Sequence, residues 1–232
     1  MVTAEIVAPG VYKVDAIGLK NAVNVLLLEN DDGWTLVDTG LGSSPQRIRE
    51  ALGTLGSGLA DIKRIFITHQ HDDHTGGLKD LVAWAPGAEV GASAHEAEVV
   101  SGRRGYDPQS GALLRYLARN AEPPGVPVGK VLREGDLVSG FRVISTPGHT
   151  PGHVSLLRDA DGLLFTADAF GCLPRRIRVG VRRFVCVDPP RAKRSAEKLL
   201  REDFATVVLA HGPIMRAGAR AKLREAVERC RY

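Results

Sequence analysis

Short apolar runs that end in a carboxylate or an imidazole recur along this chain, separated by stretches of helical period. Lys63-Arg-Ile-Phe-Ile-Thr68 is β-branched and apolar, which reads as a buried strand. Phe141-Arg-Val-Ile-Ser145 and Ala205-Thr-Val-Val-Leu-Ala210 read the same way. Leu27 to Gly33, followed by Trp34-Thr-Leu-Val-Asp38, has the form of a hairpin closed at an Asp-Gly pair, and Leu156 to Gly162, followed by Leu163-Leu-Phe-Thr-Ala-Asp168, echoes it with a slightly longer second arm. After each hairpin comes a helix and then a strand ending in histidine. Pro45 to Leu55 leads to His69, and Pro190 to Arg201 leads to His211. Ser44 and Asp188 stand where N-caps belong, with proline at the first helical positions. Further helices are expected over Gln109 to Arg119, where Leu113, Leu114 and Leu117 form a core-facing set, and over Ala219 to Arg231, with Leu223, Val227 and Cys230 on one face. The pattern is that of a weak internal repeat, two similar halves whose strand ends carry the polar chemistry.

The densest chemistry is in Thr68-His-Gln-His-Asp-Asp-His-Thr-Gly-Gly77. His69, His71, Asp73 and His74 crowd four metal-ligand types into six positions on a loop after a strand. Two imidazoles spaced i, i+2 on extended backbone can turn toward one ion and leave the following Asp-His pair to face another, a spacing that suggests two neighbouring metals. A solvated polar turn is the alternative, but groups at this density repel one another unless a cation gathers them. His149 and His153 lie in Thr146-Pro-Gly-His-Thr-Pro-Gly-His153, just past another strand, and Asp168 and His211 close two more. His95, in Ala94-His-Glu-Ala-Glu98, reads as a surface histidine at a helix start.

At 232 residues the chain is long enough for one substantial core, and no linker, low-complexity tract or charge block divides it, so a single domain over 1–232 is expected. The amino terminus lacks the basic and apolar regions of a leader, and no run approaches a membrane span, which makes cytoplasmic the default expectation. Three cysteines with no C-x-x-C spacing fit a reducing compartment and argue against a disulfide scaffold. Cys172, four residues past Asp168, is a candidate for the border of the site. The net charge of +4 is modest, but Arg175, Arg176, Arg178, Arg182 and Arg183 fall within a stretch of nine residues. Alternating arginine and apolar residues describe an exposed basic strand, and equally a landing patch for an anionic substrate. No nucleic-acid-binding motif is present, so the expected partner is a small molecule, possibly anionic, with a homodimer left open. Ser101 to Pro127, between the two groups of candidate ligands, is positioned to cover a site.

Together, the Val37-Asp-Thr-Gly40 turn, the H-x-H-x-D-H signature from His69 to His74, the TPGHTPGH element, the strand-end Thr166-Ala-Asp168 and the strand-end Ala210-His-Gly212 resemble the metallo-β-lactamase-fold hydrolases from Val23 to the last helix. The resemblance implies an α+β fold, a four-layer αββα sandwich of two mixed sheets with outer helices, and a dinuclear centre. The metals would be two divalent ions, zinc first, with iron or manganese in some members. Carried over by position, His69, His71 and His149 would hold the first ion, Asp73, His74 and His211 the second, and Asp168 would bridge them. Asp73 would also orient the nucleophile as the catalytic residue, while Asp38 and His153 would orient ligands. A bridging aspartate points toward the glyoxalase-II-like branch, hydrolases of the hydroxyacylglutathione type, though the additional helical domain of that branch is not expected before Tyr232. Acyl-homoserine lactone lactonases have a tyrosine where Gly171 stands here. The chemistry implied is hydrolysis of a thioester, ester or lactone; a phosphodiesterase or nuclease of the same fold and a mononuclear iron sulfur dioxygenase are the alternatives.

Overall fold

A computed structural model describes residues 2–118, 120–172 and 176–232, which form two compact units. The first comprises residues 1–104 and 123–132, the second residues 105–122 and 133–232.

The first unit is built on one seven-stranded sheet whose strands lie in chain order: β1 (Glu5–Ala8), β2 (Val11–Asp15), β3 (Asn24–Asn30), β4 (Gly33–Val37), β5 (Ile62–Ile67), β6 (Glu89–Ser93) and β7 (Lys130–Leu132). Pairings from β1 to β4 are antiparallel, and those from β4 to β7 are parallel. Parallel neighbours require crossovers, and helices supply them. These are α1 (Pro45–Thr54) after β4, α2 (Asp72–Thr75) and α3 (Leu78–Trp84) after β5, and α4 (Ala94–Val100) after β6. Ile48, Ala51 and Leu52 of α1 and Leu78 and Leu81 of α3 join Val25, Leu27, Leu36, Ile65 and Ile67 in one buried cluster. Along β3 every residue from Asn24 to Leu28 is buried, which explains its continuous rather than alternating apolar run.

The second unit contains α5 (Ala112–Ala118), a five-stranded sheet and a small hairpin. In chain order its strands are β8 (Leu137–Val138), β9 (Phe141–Ser145), β10 (Val154–Arg158), β11 (Leu163–Phe165), the hairpin pair β12 (Phe170–Cys172) and β13 (Ile177–Val179), and β14 (Thr206–Val208). The sheet order is β14-β11-β10-β9-β8, with only β11 and β14 parallel. Two helices, α6 (Pro189–Leu199) and α7 (Ala219–Glu228), complete the unit.

The internal repeat read from the sequence is present in the topology. Hairpin β3–β4, helix α1 and parallel β5 correspond to hairpin β10–β11, helix α6 and parallel β14. The turns differ in detail. Asn30 pairs with Gly33 across a two-residue loop, whereas Arg158 pairs with Leu163 across four. Asp188 caps α6 as expected, its carboxylate accepting the Arg191 N–H at 3.0 Å. Ser44 stands at the N-cap of α1 but is itself helical and caps nothing with its hydroxyl. The expected helix over Gln109 to Arg119 is shorter than its pattern, and its Leu113 and Tyr116 are 70% and 61% exposed rather than packed into a core. Arg119 and Arg175 lie outside the described residues. In α7, Leu223 and Val227 are buried as expected, with Cys230 just beyond.

Candidate functional site

Of the seven ligand candidates, four belong to the first unit and three to the second, and the structure brings each set together within its own unit. His69 and His71 follow the carboxyl end of β5 on extended backbone, with His71 at φ −62° and ψ 148°. At Asp72 the chain enters the one-turn helix α2, so Asp73 and His74 sit on a helix rather than on the loop the sequence suggested. His69 Nε2 lies 3.2 Å from His71 Nδ1, and His74 Nε2 lies 3.9 Å from Asp73 Oδ1. The His69 ring is 3.9 Å from that of His74 and 4.9 Å from that of His71, centroid to centroid.

Asp38 fixes which nitrogens face inward. It is fully buried and held at φ 61°, a backbone region costly for any residue but glycine and tolerated best by Asn and Asp. Its carboxylate accepts the Thr68 N–H at 2.8 Å and the Thr68 hydroxyl at 2.8–3.0 Å, and it lies 2.8 Å from His74 Nδ1. Because Asp38 can only accept, His74 must carry its proton on Nδ1, leaving the Nε2 lone pair as the ligand atom. The same logic extends one bond further. The Thr68 hydroxyl spends its proton on Asp38 and therefore accepts at 3.1 Å from His69 Nδ1, so His69 also presents Nε2. One carboxylate thus sets two tautomers.

The glycines of the motif have a packing reason. A Cβ on Gly76 would meet Asp72 O at 2.6 Å and Gly42 N at 2.8 Å, and one on Gly77 would meet Thr39 O at 2.5 Å. Their absence of side chain lets Thr39 donate to His74 O through both its N–H and its hydroxyl, at 2.8 Å each, which holds α2 beside Asp38.

In the second unit Asp168 lies in a 3-10 turn after β11, behind Ala167 at φ 43°. Its two oxygens address different histidines: Oδ2 is 3.1 Å from His149 Nε2, and Oδ1 is 3.3 Å from His211 Nε2. His153 is fully buried and holds this turn from behind, its Nε2 accepting the Asp168 N–H at 3.0 Å. Its proton is therefore on Nδ1 and donates to Thr146 Oγ1 at 2.8 Å; Thr146 then donates to Ser155 at 3.0 Å, and Ser155 to the Thr166 carbonyl at 2.9 Å. Every donor in that chain is matched, so the imidazole is neutral and of one tautomer.

Cys172 borders this group through its backbone, its N–H donating to His211 O. The sequence pointed to Cys172 and missed Cys186, which lies 3.7 Å from His149 Nδ1. Burial pushes the Cys186 thiol up to about 12, so it stays protonated and donates to the Gly180 carbonyl at 3.4 Å. Its sulfur lone pair then faces Nδ1, and His149 presents Nε2 toward Asp168. No sequence spacing relates residues 149 and 186; the backbone bonds from Val187 N–H to His149 O at 2.9 Å and from Asp188 N–H to Gly148 O at 2.8 Å bring their segments together. His95, expected at the surface of a helix start, is on the first turn of α4 and half-buried.

These donor atoms suit a metal ion. Nitrogen and oxygen ligands about 2.0–2.2 Å from a common ion stand roughly 3–3.5 Å from one another, the edge of a tetrahedron or octahedron. The His69–His71, His149–Asp168 and His211–Asp168 separations, 3.2, 3.1 and 3.3 Å, are such edges. Neutral imidazoles with their outer nitrogens tied to hydrogen-bond partners are the form in which histidine binds metal.

Comparison with known proteins gives the same direction. A sequence profile of the Metallo-beta-lactamase superfamily matches residues 19–211. YobT of Bacillus subtilis, named only as an uncharacterized protein, is 27% identical over 227 residues, covering 90% of this chain and 91% of its own. YflN of the same organism, named a probable metallo-hydrolase, is 29% identical over 176 residues, covering 70% of this chain and 64% of its own. Among solved structures, a metallo-β-lactamase from Cronobacter sakazakii, a mutant of its HARLDQ motif, matches with a TM-score of 0.71 at 25% identity, covering 100% of this chain and 94% of that one.

Proposed function

This chain belongs to the metallo-β-lactamase superfamily and has its α+β fold, and from that premise we propose that it is a metal-dependent hydrolase with a dinuclear centre. In that centre His69, His71 and His149 would hold one ion, Asp73, His74 and His211 the other, and Asp168 would be shared between them. The observation that carries the reading is Asp168, whose two oxygens lie against the Nε2 atoms of two different histidines at 3.1 and 3.3 Å.

Two divalent ions, zinc by preference with iron or manganese as alternatives, supply a water acidified toward neutrality and a Lewis acid for the oxygen under attack. Asp73 would accept a hydrogen bond from the attacking water as well as serve as a ligand, which would align it. Asp38, His153 and Cys186 act through the ligands, holding His74 and His69, the Asp168 turn, and His149. None of the assigned residues is placed to protonate a leaving group. That favours departure of a weak base, a thiolate or an activated alkoxide, and hence a thioester, ester or lactone as the small-molecule substrate. The bridging Asp168 is the reason we place the chain in the glyoxalase-II-like branch.

Elemental analysis of protein purified without chelator tests the centre. Two ions per chain are expected; one or none after incubation with zinc, manganese and iron in turn refutes it. A panel of thioesters, lactones, esters and phosphodiesters on the loaded protein tests the substrate, and turnover confined to phosphodiesters would overturn the carboxyl-ester assignment.

A further inference from the structure

Away from the ligand candidates, the second unit has a cavity of about 430 Å³, within the size range of small-molecule sites. Six arginines line it: Arg176, Arg178, Arg182, Arg183, Arg229 and Arg231. No aspartate or glutamate is among the lining residues, nor is any of the seven metal-ligand candidates. Arg229 has an ion pair with Glu225 outside the lining, while Arg176, Arg182, Arg183 and Arg231 have no carboxylate within 4 Å among the described residues.

The backbone is arranged to produce this convergence. Arg176 and Arg178 share one face of the β13 region because side chains two apart in an extended segment point the same way. The chain then reverses through Gly180 at φ 60° and Val181 at φ 61°, so that Arg182 and Arg183 return to the same cavity. A β-branched residue in that region is strained, and such strain persists where the surroundings impose it. They do so here. A Cβ on Gly180 would meet Cys186 Sγ at 2.3 Å, and Arg182 N–H donates to Gly180 O at 2.6 Å. The opposite wall is the end of α7, anchored by Tyr232, whose hydroxyl donates to Val179 O at 2.6 Å. Two rings complete the lining. Tyr232 lies 6.0 Å from the Arg183 guanidinium, and Phe184 lies 5.9 Å from that of Arg182 and remains 47% exposed.

We propose that this arginine cavity is a binding site for a small anion carrying two or more phosphates. Arg176, Arg182, Arg183 and Arg231, converging with no carboxylate within 4 Å among the described residues, repel one another, and a compact polyanion relieves that repulsion. Guanidinium forks match phosphate oxygens in paired hydrogen bonds, which a single carboxylate cannot fill six times over. The half-exposed Phe184 ring offers a stacking surface if the phosphates come attached to a base. The assignment does not rest on the hydrolase reading.

Calorimetric titration of the metal-loaded protein at low salt, with tripolyphosphate, ADP and AMP as probes, tests it. Tripolyphosphate and ADP should bind saturably, more tightly than AMP, and more weakly as salt screens the site. Arg176→Ala and Arg231→Ala, both at exposed positions, should each weaken binding by about tenfold or more. If ADP exceeds tripolyphosphate and Phe184→Ala removes the difference, the ligand is a nucleotide; if the two bind alike, phosphate alone is recognised. Either result supports the site. No saturable binding up to about 1 mM overturns it. So does binding that survives both arginine substitutions and is lost in Asp168→Asn, because the anion then sits on the metal-ligand residues.

Discussion

Replacing Asp38 separates two roles that one carboxylate performs, supporting the fold and setting imidazole tautomers. Asp38→Ala removes the acceptor for the Thr68 N–H, the Thr68 hydroxyl and His74 Nδ1, all at 2.8–3.0 Å and in a fully buried place. The Thr68 hydroxyl can rotate toward His69 Nδ1, but stranding the other two buried donors at about 1–3 kcal/mol each, and putting alanine at φ 61°, should lower apo stability by roughly 3–5 kcal/mol. Asp38→Asn is more informative. Asparagine tolerates the left-handed backbone and keeps one oxygen for Thr68, but it turns an NH₂ toward His74. His74 must then accept at Nδ1, which moves its proton to Nε2, the atom meant for metal. Apo stability should fall by only about 1–2 kcal/mol, while metal affinity drops about 10–100-fold. Thermal denaturation of the stripped proteins reads the first quantity, and competition with a chromophoric chelator reads the second. If Asp38→Asn binds metal as tightly as the parent, the tautomer argument is wrong. If it unfolds as readily as Asp38→Ala, Asp38 is chiefly structural.

Under the proposed centre, Asp73→Ala should cost on the order of 10²-fold or more in kcat, since it would remove both a ligand and the acceptor aligning the attacking water; steady-state kinetics on metal-quantified protein decides it. His153→Ala, which leaves the Asp168 N–H without its acceptor, should cost about 10–100-fold, and a turnover unchanged in folded, loaded protein would show that the Asp168 turn holds itself. Cys186 ionises near 9.0 when exposed and near about 12 when folded, so between those values the folded chain retains a proton that the unfolded chain has lost. Stability from this group is full below about pH 9 and falls as pH rises toward 12, at up to about 1.4 kcal/mol per unit; Cys186→Ala should flatten that decline relative to the parent.

The elements legible in the sequence were those whose pattern repeats: both hairpins, both helices after them and both strands ending in histidine. What escaped is instructive in physical terms. Strand β2 reads Val11-Tyr-Lys-Val-Asp15, and a lysine inside a strand argues for an exposed face, yet Lys13 is only 1% exposed. Its ammonium is satisfied by Glu5 at 3.0 Å, Asp15 at 3.2 Å and Asn21 at 2.8 Å, partners that no periodicity announces. The helix at Gln109 was expected to pack on a core because of its leucine spacing, but spacing does not tell a buried position from an exposed one, and Leu113 is 70% exposed. Cys186 was missed for a different reason. Its relation to His149 exists only after the segment following β13 folds back.

The two aspartates show where sequence logic ends and geometry begins. Asp38 and Asp168 hold equivalent places in the repeat, each at the end of a hairpin and each followed by a helix and a parallel strand leading to histidine. By pattern they are interchangeable. The distinction lies in which imidazole nitrogen each one meets. Asp38 meets His74 at Nδ1, which orients the ring and leaves Nε2 for an ion. Asp168 meets His149 and His211 at Nε2, the nitrogen that would face an ion in the proposed centre, so there it would act as a further ligand. The turn at Asp168 is then held by a different group, the Nε2 of His153 on its backbone N–H, leaving both side-chain oxygens to face the histidines. A repeat that gave both halves the same scaffold has thus assigned its carboxylates opposite work, and the difference rests on single atoms of neighbouring rings.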